Sequence, residues 1–454
     1  MDELYGRPVG VADMLRSRDE RAARQRALLS SGGALICLTM NVAGPVKATP
    51  LIRRGFLEGV RLVRGQLRAM GARVRSEEIL ERHTGFEGYL LTDADARAAK
   101  LRMCAVEDTE PLGRMLDIDV LHGSAEKLSR QDVGRPPRHC LLCEGDALCC
   151  ARARAHPVDA LFWEAERRIG EHLAVRFTEV CAQAASRALG YEVSVTPKPG
   201  LVDRANSGAH ADMDFFTFLD AMPALEPYFR ACVGMGMEMR DRAPEDAFRA
   251  LRPRGMLAEA AVLEATGGVN THKGAVFSLG ILLGALGWRY GRGLPHDTGA
   301  LLELASDMTG AEMARELESA RQSASTAGER AFRAHGLEGA RGEAARGFPS
   351  VREAALPAIR ESLARGEDIN AAGVRALLRL IARAEDTNLV ARGSEKRRMR
   401  AALEAAALAE GPIDLDGVAA LDRAFIAENL SPGGSADLLA VAFFLYFLEN
   451  AEFA

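Results

Sequence analysis

The first 157 residues mix two kinds of hydrophobic pattern. Apolar residues recur with the three- to four-residue period of an amphipathic helix over residues 12–29 and 51–70. Short apolar runs bounded by glycine, proline or polar residues cover residues 34–40, 101–107 and 117–121, as is typical of β-strands. The mixture predicts an α/β fold for the N-terminal part of the chain.

The rest of the chain follows the helical period almost throughout. Apolar residues at helical spacing predict a first helix that includes Phe162, Ile169, Leu173, Phe177 and Val180. Further helices are predicted over residues 372–384, 395–410 and 437–449. We therefore predict a multidomain protein, with an α/β domain of residues 1–157 followed by an all-α domain of residues 158–454.

The charge balance limits the classes of partner. The 454 residues carry 58 Lys and Arg against 63 Asp and Glu, a net charge of −5, so the chain has no global attraction for nucleic acid or anionic membranes. No signal peptide is visible, and the longest apolar runs, residues 277–288 and 438–448, are shorter than the roughly 20 residues that cross a bilayer. We expect a cytoplasmic protein with reduced thiols and with no nucleic-acid or membrane partner.

Two carboxylates share one predicted strand of the N-terminal domain. Asp117 and Asp119 are two residues apart, so both point to the same face of that strand. Such a pair can bind Mg²⁺, which in turn holds phosphate oxygens, and Arg114 just upstream offers a guanidinium to phosphate. Lys47, in a Gly-Pro turn before a helix, is a weaker phosphate candidate. The alternatives are an acidic strand face and an ordinary turn.

A cysteine-rich stretch follows this strand. Cys140, Cys143, Cys150 and His156 have the spacing C-x2-C-x6-C-x5-H, with Cys149 and His139 as possible substitutes. Thiolate and imidazole ligands at such spacings can build a tetrahedral structural Zn²⁺ site. The alternative is a set of free thiols in a loop.

Four segments of the N-terminal domain resemble one known family. They are RSRDERAARQ (16–25), GPVK (44–47), PLGRMLDIDVL (111–121) and LSRQDVGRPPRHCLLCE (128–144). These segments resemble the transferase that attaches the phosphoribosyl-dephospho-CoA prosthetic group to apo-citrate lyase. The resemblance implies a nucleotidyltransferase-like α+β fold, a triphosphate-bearing donor and release of pyrophosphate. It also implies a serine acceptor on the acyl-carrier (gamma) subunit of citrate lyase, with Asp117 and Asp119 matching the Mg²⁺ ligands.

An irregular loop in the second domain carries a dense cluster of ionisable groups. Two prolines and a glycine surround Lys198, which disfavours a helix there. Asp203, His210, Asp212 and Asp214 crowd the next residues, and like charges this close tend to recruit a cation or share a proton. The alternative is a polar surface loop in which Asp214 caps the next helix.

Two further segments carry candidate ligands for phosphate and metal. In TGGVNTHKG, glycines precede Asn270, His272 and Lys273 at the start of an apolar helix, an arrangement that binds anions. A flexible lead-in to the helix is the alternative. Glu385 and Asp386 end a predicted helix, where negative charge is unfavourable, so their presence indicates a function unless they cap or form salt bridges.

The second domain resembles the triphosphoribosyl-dephospho-CoA synthase family. The segments are TPKPGLVD, NSGAHADMD, TGGVNTHKGAVFSLG, GARGEAARGFPSV and EDTNLVARG. The resemblance implies that the 2′-hydroxyl of dephospho-CoA attacks the ribose C1′ of ATP and that adenine leaves. The metal or acid–base residues would come from Asp203, Asp212, Asp214, Glu385 and Asp386. The substrate ligands would come from Lys198, His210, Asn270, His272, Lys273 and Arg392.

The two resemblances fit consecutive steps, in which the second domain makes an activated prosthetic group and the first transfers it. Fusion would raise the effective concentration of the intermediate at the second site. One alternative is that the same chemistry serves a malonate decarboxylase carrier. Another is a zinc-stabilised binding module on a helical scaffold, which would leave the acidic clusters and Gly-rich loops without a role.

Overall fold

The computed structural model describes residues 4–322, 324 and 327–451. The chain folds as two compact units that divide after Phe177. Within the described residues, no helix is both long and apolar enough to cross a membrane.

The first unit is built on a five-stranded antiparallel sheet. The strands are β1 (Ala34–Met40), β2 (Val74–Arg82), β3 (Gly85–Thr92), β4 (Leu116–His122) and β5 (Glu126–Lys127), in the order β2-β3-β1-β4-β5. The helices are α1 (Val11–Leu29), α2 (Pro50–Ala69), α3 (Ala96–Thr109), α4 (Ala147–Ala153) and the first part of α5 (Val158–Ser194), with short 3₁₀ turns at Gly113–Met115 and Gln131–Val133. The fold is therefore α+β.

The two faces of the sheet pack against different helices. Ile36, Leu38 and Ile118 face α2 and α3 in the main core of the unit. The opposite face carries a smaller cluster, in which Cys37 and Tyr89 pack with Leu29 of α1. Strand alternation places Asp117 and Asp119 on this second face, beside Cys37, to which Asp119 is paired in register.

One predicted strand is wrong. Residues 101–107 lie inside helix α3, which begins after Asp95, whose side chain accepts a hydrogen bond from the backbone N–H of Ala98. Met103 and Val106 are buried three residues apart, whereas Leu101 is exposed, as the helical period requires. A short apolar run alone does not distinguish a strand from a buried helix turn.

The second unit is helical throughout its described residues. After α5 come α6 (Phe215–Glu238), α7 (Pro244–Ala265), α8 (Lys273–Gly291), α9 (Thr298–Gln322), α10 (Ala327–His335), α11 (Gly339–Ala345), α12 (Leu356–Ala364), α13 (Ile369–Arg383), α14 (Thr387–Arg392), α15 (Glu395–Ala409), α16 (Leu415–Ala427) and α17 (Gly433–Glu449). A π-helical turn, Val351–Ala355, precedes α12. The expected order of a mixed unit followed by a helical one is confirmed.

Helices α8 and α17 are the most buried elements of this unit, which explains their nearly continuous apolar sequences. Helix α6 packs so closely on α8 that a Cβ at Gly236 would collide with the backbone of Gly284. Helix α5 begins at Val158, directly after the predicted boundary, and Ile169 and Leu173 on its first half are buried in the core of the first unit. The division between the units therefore falls inside this helix.

Candidate active sites

A polar cavity of about 420 Å³ lies in the second unit, and every motif segment predicted there contributes to its lining. The segments are residues 196–203, 206–214, 266–274, 339–349 and 385–393. The first residues of α8, α11, α14 and α17 also line this cavity. Unpaired backbone N–H groups at helix N-termini attract anions, so the polar cavity suits a phosphorylated ligand.

Lys198 forms a buried ion pair at the cavity wall. Its ammonium donates to the carboxylate of Glu192, and both side chains are almost fully buried. Burial raises the pKa of Glu192, and the positive charge of Lys198 acts in the opposite direction. The wall of the cavity therefore contains a buried lysine next to a buried carboxylate, and either group would be unfavourable there without the other.

Replacing Lys198 by Met is expected to destabilise the protein by about 3–5 kcal/mol, because Glu192 would be buried without its partner. An unpaired, buried Glu192 keeps its proton in the folded state at pH values where the unfolded chain has released it, so stability should fall as pH rises. Thermal unfolding at about pH 6 and about pH 8 should show a larger loss at the higher pH. Adding Glu192→Gln should recover much of it, and a loss independent of pH would contradict this account.

His272 presents an unpaired nitrogen at the cavity. Its Nδ1 lies 2.8 Å from Thr271 Oγ1, while its Nε2 is buried and has no hydrogen-bond partner among the described residues. Burial, together with the charge of Lys198, lowers the pKa of His272 to about 3. The imidazole is therefore neutral at physiological pH and can exchange a hydrogen bond with a ligand. Asn270 and Lys273 line the same wall.

His210 and Arg392 form a second polar group in the wall. Arg392 donates to the carbonyl of Ala209 at 2.7 Å and to Nδ1 of His210 at 3.2 Å. The other ring nitrogen of His210 lies 2.9 Å from Ser431 Oγ. Burial and the neighbouring guanidinium lower the pKa of His210, so this imidazole is also largely neutral. Both predicted ligands thus lie at the polar cavity.

Several carboxylates converge on the same space. Glu385 accepts a hydrogen bond from the backbone N–H of Glu338 at 2.8 Å. Asp386 is buried, accepts from the N–H and hydroxyl of Ser435, and caps α14, so the capping alternative is also observed. Burial raises the pKa of Asp386 and raises that of Asp437 well above its usual value, with Glu192 adding to the effect on Asp437. A site in which burial raises the pKa of carboxyl groups is a candidate for acid–base chemistry.

Three predicted catalytic residues lie outside the lining of the polar cavity. Asp203 is buried, and its carboxylate accepts hydrogen bonds within its own loop, from Thr196 Oγ1 at 2.6 Å and from the N–H of Lys198 at 2.9 Å. Asp212 is exposed, and Asp214 caps α6 through Thr217. A chemical role for these three aspartates stays a prediction, whereas their observed contacts hold the loop and start the helix.

Sequence reasoning missed three carboxylates of this site: Glu192, Glu343 and Asp437. Glu343 lies inside a recognised Gly/Arg segment. The sequence pattern places Asp437 at the start of an apolar helix and gives it no functional role. The Ser-Pro-Gly-Gly-Ser-Ala stretch before it is nevertheless a signal for a glycine-rich helix start. Glu192 carried no local signal, because only the fold brings the end of α5 to Lys198.

A second cavity of about 540 Å³ adjoins the first. The two cavities share Lys273 and Gly274 at the start of α8 and Gly339 at the start of α11. The apolar part of the second lining includes Phe248, Leu251, Phe277, Ile281, Met313 and Leu317. Two adjoining cavities can hold two ligands whose reacting groups meet between them.

The first unit has a separate cavity of about 480 Å³, the arginine cavity, lined by Arg114, Arg130 and Arg138. Arg130 is paired with Glu107 at 2.7 Å, and Arg138 donates to the carbonyl of Leu116 at 2.5 Å. In contrast, Nε and Nη1 of Arg114 are buried and lack a partner within the described part of the chain. Burial, with repulsion from Arg138, lowers the pKa of Arg114. An anion would satisfy this guanidinium.

Asp117 and Asp119 lie on one face of β4, as strand alternation predicts. Asp119 pairs with Lys127 at 2.6 Å, and Asp117 lies 3.5 Å from Arg138, which lines the arginine cavity. Lys47 lies outside that lining and donates to the carbonyl of Val42 at 2.5 Å. The Asp pair is thus linked to the cavity through Arg138, whereas the observed contact of Lys47 holds its own turn.

The ligand atoms of Cys140, Cys143, Cys150 and His156, the Cys-His cluster, all lie within 4.8 Å of one another. Cys149 points elsewhere and is exposed. The four residues spaced as a metal site in the sequence are therefore the four that the fold brings together.

Comparison with known proteins accounts for both units. Residues 9–172 match the family described as apo-citrate lyase phosphoribosyl-dephospho-CoA transferase, and residues 178–453 match ATP:dephospho-CoA triphosphoribosyl transferase. The chain is 32% identical to protein CitXG of Haemophilus influenzae, over 98% of each chain. The chain belongs to the CitXG family. Protein CitXG of Leuconostoc mesenteroides is 31% identical over 97% of each chain.

Relatives of the second unit alone are also similar. The probable 2-(5''-triphosphoribosyl)-3'-dephosphocoenzyme-A synthase of Pectobacterium carotovorum is 44% identical, over 58% of this chain and 87% of that protein. The chain is thus a transferase that joins two enzyme families in one polypeptide, and both resemblances found in the sequence are confirmed. Membership in these families sets aside the alternative of a binding module without catalytic function.

Proposed function

We propose that the second unit joins ATP to dephospho-CoA with release of adenine, and that the first unit attaches the resulting prosthetic group to a carrier protein. The observation that carries the first half is the polar cavity itself. It combines helix N-termini, Lys198, His272 and Arg392 with carboxylates of raised pKa. Helix N-termini and cationic side chains bind a triphosphate, and carboxylates stabilise the transition state when a glycosidic bond is cleaved.

The two adjoining cavities suggest how the substrates divide. The triphosphate of ATP would lie at the starts of α8 and α17, near Lys273 and Arg392. The second cavity would take another part of the substrates, with Phe248 and Phe277 in its wall. Because both cavities share the start of α8, the ribose of ATP and the attacking hydroxyl of dephospho-CoA could meet there.

The chemistry is an exchange at the ribose C1′ of ATP. The C1′–N bond to adenine breaks as the bond from C1′ to the 2′-oxygen of dephospho-CoA forms, and nearby carboxylates stabilise the positive charge that develops on the ribose. Asp437, whose raised pKa keeps it protonated at higher pH than an ordinary carboxyl, would donate a proton to the departing adenine. Glu385, in the same lining, would accept the proton that the 2′-hydroxyl loses as its bond to C1′ forms. His272, neutral and with Nε2 free, would orient a substrate by a hydrogen bond.

Carboxylates in both units fit Mg²⁺. Glu385 and Asp386 line the polar cavity, and Asp117 and Asp119 share one strand face in the first unit. Oxygen ligands of this kind are those that Mg²⁺ prefers, and bound Mg²⁺ would neutralise charge on the phosphate oxygens. Removing divalent ions should therefore suppress both steps.

For the first unit, we propose a nucleotidyltransferase-like transfer to a serine of the citrate lyase acyl-carrier (gamma) subunit, with release of pyrophosphate. Support comes from the match to the citrate lyase transferase family and from the arginine cavity beside Asp117. The unpaired guanidinium of Arg114 would bind the phosphates of the donor.

The synthase half is tested by adenine release. The purified chain is given ATP with and without dephospho-CoA, and adenine is followed by chromatography. We expect release that requires dephospho-CoA and that saturates with both substrates. Release without dephospho-CoA would indicate a hydrolase, and no release from the folded chain would refute the assignment.

A further inference from the structure

Two separations within the Cys-His cluster fit the edges of a tetrahedral metal site. Cys143 Sγ lies 3.6 Å from Cys150 Sγ and 3.3 Å from His156 Nε2. Around Zn²⁺, with Zn–S bonds of about 2.3 Å and Zn–N bonds of about 2.0 Å, the S–S and S–N edges of a tetrahedron are about 3.8 and 3.5 Å. The observed separations match these edges within about 0.2 Å, whereas a disulfide would require about 2.05 Å.

The segment that carries the cluster has little apolar core of its own. Helix α4 buries none of its residues, and the turn before it is largely exposed. Yet the segment is ordered by specific contacts, such as the Cys140 N–H to the carbonyl of Gly145 at 2.7 Å and the Asp146 cap of α4. Small modules without a sufficient core are commonly held by metal or disulfide cross-links. A metal ion would supply the missing cross-link between the turn, α4 and the start of α5.

This segment also forms one wall of the arginine cavity. Asp146, Leu148 and Ala151 line it, as does Arg138, two residues before the first cysteine. The carbonyl of Arg138 accepts from the N–H of Ala147 at 2.9 Å, which ties Arg138 to the base of α4. Movement of the cluster would therefore displace Arg138 from Asp117 and open the cavity.

We propose that Cys140, Cys143, Cys150 and His156 bind one structural Zn²⁺ that holds this wall of the arginine cavity in place. All three sulfurs coordinate as thiolates and the histidine through Nε2, so the site has no open position and takes no part in chemistry itself. The expected effect of zinc on transfer to the carrier rests on the function proposed for the first unit. The existence of the metal site does not depend on that function.

Metal content tests the site directly. Full-length chain without an affinity tag, purified without chelator, should contain about one zinc per chain. Cobalt added after zinc removal should give the thiolate charge-transfer absorption and the strong visible bands of a tetrahedral site. Less than about a tenth of an equivalent of zinc in folded protein, with no such cobalt spectrum, would overturn the proposal.

The chain offers a matched pair of cysteine variants. Cys150→Ala should lose most of the zinc, whereas Cys149→Ala, one residue away and exposed, should retain it. Equal zinc in both variants would place the metal elsewhere and refute the site. If the Cys150 variant does not fold, the wild-type zinc content and cobalt spectrum still decide the proposal independently of it.

Transfer activity separates the metal site from the proposed function. If Zn²⁺ stabilises the wall, Cys150→Ala should reduce carrier modification at least about tenfold while adenine release by the second unit continues. Undiminished transfer by zinc-free chain would refute the positioning role. If wild-type chain contains zinc but never modifies a carrier, the metal site stands and the proposed transfer fails.

Discussion

Asp437→Asn is expected to slow adenine release by about 10²–10⁴-fold, the usual contribution of a general acid or base. The carboxyl of Asp437 has a pKa raised by burial and by the charge of Glu192, so it keeps a proton that it can donate at higher pH than an ordinary aspartate. Asparagine keeps the shape and can still accept the hydrogen bond from the Ala275 N–H, but it cannot transfer a proton. The initial rate of adenine formation measures the loss.

The pH dependence makes this result specific to proton transfer. With Asp437 as the acid, the wild-type rate should fall as pH rises through the raised pKa, because the donated proton is then absent. Asp437→Asn should lack this fall. Asp241→Asn, which changes an exposed carboxylate after α6, is the matched control and should retain the wild-type rate and profile. A near-normal rate in Asp437→Asn would remove Asp437 from the mechanism.

Asp117→Asn or Asp119→Asn is expected to slow attachment to the carrier by at least about 100-fold and to leave adenine release unchanged. Two carboxylates on one strand face can hold the Mg²⁺ that neutralises the departing pyrophosphate, an effect worth several kcal/mol. Asparagine retains an oxygen ligand but loses the charge. The measurement is the mass of the carrier after a fixed time, with adenine determined in the same sample.

The matched control is Glu81→Gln. Glu81 lies on β2, and the change breaks a comparable surface ion pair with Arg53 of α2. Such pairs contribute little to stability, so all three variants should fold and the control should transfer normally. Failure of both steps in a folded Asp117 variant would show that the two units do not act independently. Normal transfer in both aspartate variants would show that the pair is only an acidic strand face and has no role in transfer.

The sequence predicted best what depends on local pattern. Alternation along β4 placed Asp117 and Asp119 on one face, and the Cys-His spacing identified the four residues that meet in space. In the second unit, glycine and proline breaks located five segments that line the polar cavity, but residues 431–436, which also line it, were not among them.

Long-range packing was not predictable in the same way. The hydrophobic pattern did not predict strands β2 and β3. Strand β2 is rich in charged residues because it lies at the edge of the sheet. Glu192 pairs with Lys198 only because α5 ends beside the loop, and Asp437 reaches Gly274 only because α17 packs on α8. A chemical role for the loop aspartates stays a prediction, because crowding in sequence does not show whether side chains face a cavity or hold their own loop.

The most direct test of the account follows both steps in one reaction of the wild-type chain. ATP, dephospho-CoA, Mg²⁺ and the citrate lyase acyl-carrier subunit are incubated with catalytic amounts of enzyme, and adenine and carrier mass are measured together. A parallel sample contains a malonate decarboxylase carrier. The account predicts that each modified citrate lyase carrier gains one phosphoribosyl-dephospho-CoA group on a serine, with at least one adenine released for each. Adenine release with an unmodified citrate lyase carrier, or modification of the malonate decarboxylase carrier alone, would contradict it.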